Sequence, residues 1–594
     1  MIRFVPFPFP FPLRARLRQI PWLARFYRKY ILGLPLETVP DHVHYAQVKA
    51  ASDRALALLP LIPGPLISIV TPVYRPNLAH FRAMVESVLA QSYVNWQLIL
   101  VDDHSQDAEL TLLLNEYAKH PQIKVVQRIE NGHISVASND GLAQADGEFV
   151  ALLDHDDLLH CDALKAVALY LQLHPDANIF YSDEDKVNEQ GGFEQAHFKP
   201  KWSPDLLYSH NYVCHLGVYR KSLLDDIGGF RVGYEGSQDY DLLLRAVKQC
   251  AGQGIIHIPY VLYHWRIAQG STALAGSEKS YSDIAGLKAL QDYFADRTGV
   301  TVESGLLSNT YKVNWPIPGS PPLVSIIIPT KNGEDLVRQC VESIYRLTQY
   351  PAFEILLVDN QSHCPSALAY FEQLSQANQV RLLSYPHAFN YSAINNFAAE
   401  HANGSVLVLM NNDIEILSEQ WLTEMVSHAI RPDIGCVGAK LYYPDNTIQH
   451  AGVVTGIGGV AGHSHKYFPA SYPGYFKRLM IVQNFSAVTA ACLAVRKSVF
   501  TQVGGLNETD LTVAFNDVDL CLKVQQAGYR NLWSPYVEMV HHESVSRGGE
   551  DTAEKQARFN AEVAYMKTQW GAQLNNDPYY SPWLSLKTED FGLR

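Results

Sequence analysis

Three motifs in this 594-residue chain occur twice at one fixed spacing: TPVYR, VDDHS and LLDHDD return as PTKNG, VDNQS and LMNNDIE. Pro72 and Pro329, Asp102 and Asp359, and Asp156 and Asp413 each stand 257 positions apart. An offset held through three motifs requires two copies of one βα architecture, each carrying carboxylates at the same place in its fold. Two similar sites follow. At typical domain sizes of ~100 to 200 residues, the chain has room for two such units, each able to bury its own core.

Each copy reads as alternating strand and helix. In the first, the Pro/Gly cluster LIPGP (61–65) leads into LISIVTPVY, a β-branched apolar run ending near a proline, and residues 38–60 before it read as a helical lead-in. FRAMVESVLAQ has helical periodicity, and WQLILVDDHS, IKVVQR and EFVALLD read as further strands. This alternation predicts a doubly wound, mostly parallel α/β sheet, in which ligands bind beyond the carboxyl ends of the strands. Pro72, Tyr74, Asp102, Asp103, Asp154 and Asp156 fall at those ends.

The second copy opens after the proline-rich WPIPGSPP (315–322), and EILLVDNQS and SVLVLMNND follow at matching distances. Beyond them the copies diverge. Arg220-Lys221-Ser222 matches Arg496-Lys497-Ser498 at an offset of 276, so nineteen residues have been added after Asp413. HAGVVTGIGGVAGHSHKYFP (450–469) lies in that interval, where an acceptor-facing loop is expected. The expected segments are a basic, helical extension (1–63), a first domain (64–300), a linker (301–321) and a second domain with a C-terminal helical tail (322–594).

A hydrophobic share of 47% and a charged share of 18% describe ordinary globular protein, and a net charge of -13 argues against nucleic acid as a main partner. Eight cysteines without a CxxC pair read as reduced thiols of a cytoplasmic protein. No stretch approaches the ~20 apolar residues of a membrane span. In the first thirty residues Leu17, Ile20, Ala24, Tyr27 and Ile31 share one helical face, and Arg14, Arg18, Arg25 and Lys29 share another. That pattern suits peripheral contact with an anionic membrane surface, and equally a helix packed on the first domain with a solvated basic face; Pro21 interrupts either.

The two carboxylates of DHDD, one residue apart at a strand end, can share magnesium or manganese with substrate phosphates. A lone DxD suits a solvated turn or cap as well. Its return as NND at the same offset weighs against that. In EGSQDYDLLLR and AFNDVDLCLK, Asp239 and Asp517 each precede an apolar helical run and are placed to take a proton from an attacking hydroxyl. Asp241 and Asp519 are the expected N-caps. His264 in VLYHWR and His541 in MVHHES are candidates to close a metal shell or touch phosphate. YSDEDK (181–186), with Lys199, Lys201 and Trp202 of FKPKWSPDLL, is expected to shape an acceptor site.

Taken together, TPVY, VDD, NGHISVASNDGLAQADGEF, DHDD, GSQDYDL and HIPYVLYHWR, with VSIIIPTKNG, VDNQS, FNYSAINN, NNDIE, FNDVDLCLK and HHESVSRG, resemble the family 2 glycosyltransferases of GT-A fold. The tandem arrangement is similar to bacterial two-domain enzymes of O-antigen and capsule assembly, and the match covers roughly 64–274 and 322–548. The resemblance implies a metal-dependent, inverting hexosyl- or deoxyhexosyltransferase using UDP-, dTDP- or GDP-linked sugars and a glycan acceptor carried on lipid. Pro72, Tyr74, Asp102 and Asp103 would line the nucleobase pocket, Asp154 would contact ribose or sugar, Asp156 and His264 would hold the metal, and Asp239 would be the base. Pro329, Asp359, Asn360, Asn411, Asp413, His541 and Asp517 are the matching positions.

Asn411 for Asp154 and Asn360 for Asp103 are departures that imply either a different donor preference or a non-catalytic second domain. The QxxRW motif of processive synthases is absent from both copies, which favours addition of one or a few sugars. A nucleotidyltransferase would need a glycine- and basic-rich phosphate loop after the first strand, which TPVYRPN and PTKNGED do not supply. A glycoside hydrolase would not need the nucleotide-binding sheet. A carbohydrate-binding scaffold with two dead sites would differ only in lacking transfer.

Overall fold

The computed structural model describes residues 41–267, 279–543 and 552–594. The basic N-terminal arm lies outside them. The lead-in is a helix, Asp41–Ala57.

Each copy builds one large sheet, and the strand order is the same in both. In the first it runs Ile123–Gln127, Trp96–Asp102, Ile67–Val73, Phe149–Leu152, Gly217–Arg220, Ile179–Val187, Ile255–Arg266 and Leu158–Leu159. In the second it runs Arg381–Ser384, Phe353–Asp359, Val324–Thr330, Val406–Met410, Cys492–Arg496, Ile434–Tyr442, Arg530–His541 and Ile414–Ile416. The first four strands of each order are parallel, while Gly217–Arg220 and Cys492–Arg496 enter antiparallel to both neighbours. The sheet is therefore parallel in its first half and mixed in its second.

The parallel half forms where the sequence is continuously apolar. Trp96–Asp102 is buried along its whole length, as a strand covered on both faces by crossover helices must be. Alternate side chains go to opposite faces: Ile67, Ile69, Leu98 and Leu100 pack in one core, and Val70, Ile99 and Val101 in the other. The duplication extends to buried polar contacts. Ser68 Oγ accepts from Gly147 N at 2.9 Å, and Ser325 Oγ accepts from Gly404 N at 2.8 Å. A Cβ on either glycine would lie 2.6 Å from backbone of the first strand, so neither position admits a side chain.

The two domains share a core. Tyr45, Val48, Ala196, Phe198 and Val261 pack in one cluster with second-domain residues such as Leu479 and Tyr580. Asp205 of the first domain is buried against Arg431 (2.6 Å) and Arg530 (3.3 Å) of the second, and Asn484 Nδ2 donates to it at 2.8 Å. Burial alone would push the Asp205 carboxyl up, but the two guanidinium groups outweigh it and hold it well below the usual carboxylate range. Trp315 of the proline-rich linker lies 4.0 Å under the Arg431 guanidinium. After the helix Ala553–Leu574 the chain returns to the first domain, where Trp583 Nε1 donates to Pro259 O at 2.7 Å and Lys201 N to Pro578 O at 2.8 Å. Among the described residues no helix is long and apolar enough to cross a membrane.

Candidate active site

The first domain opens a cleft of about 580 Å³ beyond its strand ends. Val70, Pro72, Ile134 and Ser138 line it, together with Asp154, Asp239, His215 and Trp265. Asp154 follows the strand Phe149–Leu152. Burial pushes its carboxyl up, His215 opposes that, and the charges of Asp156 and Asp239 add to it. Three carboxylates thus crowd one strand end.

Asp239 and Asp241 sit in the first turn of the helix Gln238–Gln249, whose N-cap is Ser237. Asn211 Nδ2 donates to Asp239 Oδ2 at 2.7 Å, leaving the carboxylate facing the cleft. The expected capping role of Asp241 is not what the structure shows: this buried carboxylate is tied to Arg231 and, at 2.8 Å, to Arg245. Asp519 likewise takes Lys523 (3.0 Å) and Trp570 Nε1 (2.9 Å), and the N-cap of its helix, Asn516–Gln526, is Phe515. Both side chains lie one turn too late to cap and point instead into packed surroundings.

The two late histidines do not occupy equivalent positions. Leu158 pairs with His264, two residues after Asp156, but Ile414 pairs with His541, one residue after Asp413. The shift of one residue turns the side chain to the opposite face. His264 is buried with its Nδ1 against Asp185, which also accepts a hydrogen bond from Tyr45 of the lead-in helix. It is not brought to Asp156; Trp265 takes the place that His541 has in the second domain. His541 Nε2 stands 3.1 Å from Asp413 Oδ1 and 3.3 Å from the Asn411 amide.

Other expected residues have local partners. Asp102 Oδ1 accepts from Ser105 N (3.1 Å) and Asp359 Oδ1 from Ser362 N (3.1 Å), shaping the turn after each second strand. Asp103 is ion-paired to Arg128 at 2.9 Å and accepts from Asn131 Nδ2 and Gly132 N, at the entrance to the helix His133–Ala143. Asn360 instead donates to the carbonyls of Tyr385 (3.2 Å) and His387 (2.8 Å). Pro72 and Pro329 are half-buried at their strand ends, and Tyr74 is 44% exposed beneath the Arg75 guanidinium. Asp156 gives its carbonyl to Arg266 Nε at 2.8 Å.

YSDEDK lies in the mostly buried strand Ile179–Val187. Glu184 and Lys186 reach the cleft, while Asp183 is paired to His257 at 2.7 Å and Lys199 is buried against Glu184 at 3.3 Å. Lys201 and Trp202 are not among the cleft residues. His215, Asn211, His210 and Trp265, which do line it, were not singled out in the sequence. HNYVCHL has no counterpart in the second copy's SAVTAACLA, and that contrast is the signal available for them.

In the second domain Asp517 Oδ2 accepts from Ala490 N at 3.0 Å, and Tyr391 OH reaches Ala490 O at 3.0 Å and Asn411 Oδ1 at 3.4 Å. Burial pushes the nearby His463 imidazole down, Lys466 adds to that, and Asp517 opposes it. A divalent cation fits the donor sets on chemical grounds. In the first domain Asp154, Asp157 and His215 offer ligand atoms within 4.8 Å of one another, although Asp157 already accepts from Tyr263 OH (2.5 Å) and Arg266 N (2.7 Å). Asp413, His541 and the Asn411 amide make the second set.

Two parallel-rich mixed sheets of one strand order, each with acidic residues at its strand ends, are the architecture of tandem GT-A glycosyltransferase domains. The chain belongs to Glycosyl transferase family 2, whose sequence profile matches residues 68–228 and 325–504, more than half its length. It is 51% identical over 534 residues to the protein y4gI of Sinorhizobium fredii (strain NBRC 101917 / NGR234), covering 89% of this chain and 59% of that one. It is 39% identical over 554 residues to the O-antigen biosynthesis protein RfbC of Myxococcus xanthus, covering 92% of this chain and 42% of that one. The chain spans about half the length of these curated relatives. The structure of S. aureus TarS 1-349 in complex with UDP-GlcNAc overlays on 39% of this chain and 74% of that one, with a TM-score of 0.30 and 21% identity.

Proposed function

We propose that the chain is a bifunctional glycosyltransferase that moves sugars from nucleotide-sugar donors to a growing cell-surface glycan, one transfer in each cleft. The observation that carries this reading is the repeated placement of Asp239 and Asp517: each stands in the first turn of the equivalent helix beside the strand-end cluster, and neither is neutralised as Asp241 and Asp519 are. The O-antigen role named for the Myxococcus xanthus relative supports the glycan class, and a lipid-linked acceptor is part of the same proposal.

In the first cleft the nucleotide would lie along Pro72, Ile134 and Ser138, with the sugar toward Asp154. The Asp239 carboxylate takes the proton from the acceptor hydroxyl as its oxygen bonds to the anomeric carbon. The bond from that carbon to the diphosphate oxygen breaks on the opposite face, so configuration inverts. Asn211 holds the carboxylate in place for that transfer. Asp154, Asp157 and His215 would hold a divalent cation here, with Asp156 beside them, and Asp413, His541 and Asn411 would in the second domain; when bound, the cation would neutralise charge on the departing diphosphate. A second reading, in which only the first domain transfers, is favoured by one specific observation: Asn411 stands where Asp154 does, removing a carboxylate.

The test is incubation of the full chain with manganese or magnesium and a panel of UDP-, dTDP- and GDP-sugars. Donor-dependent product that disappears with chelator is expected. Absence of both transfer and hydrolysis across the panel, with donor binding unaltered in Asp156→Ala and Asp413→Ala, would leave a binding scaffold.

A further inference from the structure

The stretch added to the second copy does not stay at its own cleft. Between the strand Ala461–His463 and the strand Gln483–Phe485 the chain crosses to the first domain, where Tyr475 OH donates to Ala196 O at 2.9 Å and accepts from Phe198 N at 2.7 Å. The next ring, Phe476, is stacked on His197 at 3.9 Å with 12° between the planes. Lys477 Nζ donates to Ser308 O at 2.7 Å. Phe476 and Lys477 both line the cleft that holds Asp154 and Asp239.

Two further observations mark this crossing as a built wall rather than a chance touch. Phe476 and Lys477 have φ of 46° and 66°, a left-handed conformation that consecutive residues with side chains rarely adopt and that persists only where surrounding contacts impose it. Those contacts are on both flanks: Tyr475 is hydrogen-bonded to the first domain, and the buried Arg478 donates to Gln483 Oε1 at 2.6 Å and Tyr579 O at 3.2 Å. In addition His210, another cleft residue, has a buried Nε2 without a hydrogen-bond partner, and the Lys477 charge reaches it. An unpaired buried nitrogen in a cleft that a lysine and an aromatic ring also line is an arrangement suited to a hydroxyl-rich ring.

We propose that Phe476 and Lys477 of the second domain form the acceptor-side wall of the first domain's cleft, so that the sugar acceptor of the first transfer is bound between the domains. The inference rests on the reading that the first cleft transfers a sugar. The nucleotide side of the cleft is made wholly by the first domain, from Val70, Pro72, Ile134 and Ser138. The side facing Trp265 and His197 is completed only by the other domain. Phe476 offers a flat apolar face to the C–H side of a pyranose, and Lys477 is the donor beside it. The first domain's acceptor site is therefore incomplete without the second domain, whatever the second domain itself transfers.

The experiment uses the full chain, the donor whose transfer Asp239→Asn abolishes, and a glycan acceptor that the parent protein accepts. Phe476→Ala is expected to raise the acceptor KM about tenfold while donor affinity stays within twofold, a split that a general loss of structure would not give. Phe476→Tyr, which keeps the ring, is expected to restore the acceptor KM. Thermal unfolding is followed for each variant, and Phe476→Leu, which fills the space without a flat ring, stands in if the alanine variant unfolds early. An acceptor KM within twofold of the parent in Phe476→Ala or Phe476→Leu overturns the proposal, as does an equal loss of donor and acceptor affinity. Absence of transfer by the parent with every donor is a different result; it overturns the transferase reading of the cleft and this proposal with it.

Discussion

Where the first domain sets Asp154 beside His215 and Trp265, the second sets Asn411 beside Ala491 and His541. The first arrangement concentrates negative charge at a strand end and sets one imidazole, His215, against it. The second gives up a carboxylate and gains a histidine 3.1 Å from the acid that remains, Asp413. Because the sheets share strand order and the strand-end glycine contact, the difference lies in side chains and one register step, not in scaffold. A duplicated fold can thus hold its parallel half constant in strand order while each copy settles its charge differently.

The largest effect that can break the comparison is at the two proposed bases, Asp239 and Asp517. Asp239→Asn is expected to lower one transfer about 10²- to 10⁴-fold, the range for loss of a general base, and Asp517→Asn to do the same for the other. Product analysis with separate donors reads this directly. If Asp517→Asn leaves every transfer at parental rate, the second domain is not catalytic and the exchange of Asp154 for Asn411 marks its decay.

Next in size is the joint between the copies. Asp205 sits buried between Arg431 and Arg530, and Asp205→Ala should cost about 3–5 kcal/mol, because it strands positive charge that burial penalises. Denaturant unfolding measures it. The sign of the pH dependence follows from the depressed carboxyl: its contribution is complete above the ordinary aspartate value of about 3.9 and is lost as pH falls through the lower folded-state value. The variant should therefore show a shallower acid limb than the parent. Equal acid limbs would mean that the Asp205 charge adds nothing to the joint between the domains.

Much of this was legible in the chain because strand-end carboxylates follow long apolar runs, and a repeated offset fixes their equivalence. The parallel half, the placement of Asp154 and the first-turn positions of Asp239 and Asp517 all came from that pattern. What escaped depends on register or on distance. His264 and His541 look alike in sequence, yet one residue of slip sends the first to Asp185 and the second to Asp413. The partners of Asp241 and Asp519 are arginines, a lysine and a tryptophan whose approach is set by packing. The added loop reads as an acceptor-facing element, and no local signal shows that its far end, Phe476, serves the other copy's cleft.

The smallest expected effect sharpens the comparison at Asp103 and Asn360. Asp103 is an acceptor for Arg128, Asn131 and Gly132, whereas Asn360 is a donor to two carbonyls and its own Oδ1 is buried without a partner. Tyr385 stands where Arg128 does in the first copy. Asn360→Asp would bring a carboxylate against the carbonyls of Tyr385 and His387 with no guanidinium to balance it, so unfolding free energy should fall by about 1–3 kcal/mol. Adding Tyr385→Arg keeps the backbone carbonyl and supplies the missing charge, and the double variant should recover part of the loss, a coupling that a double-mutant cycle measures. Recovery would show that acid and arginine changed together and that the second pocket is a coherent alternative. A neutral Asn360→Asp, with no coupling to Tyr385→Arg, would show that this loop does not depend on the amide, and that the two pockets differ at this position in composition alone.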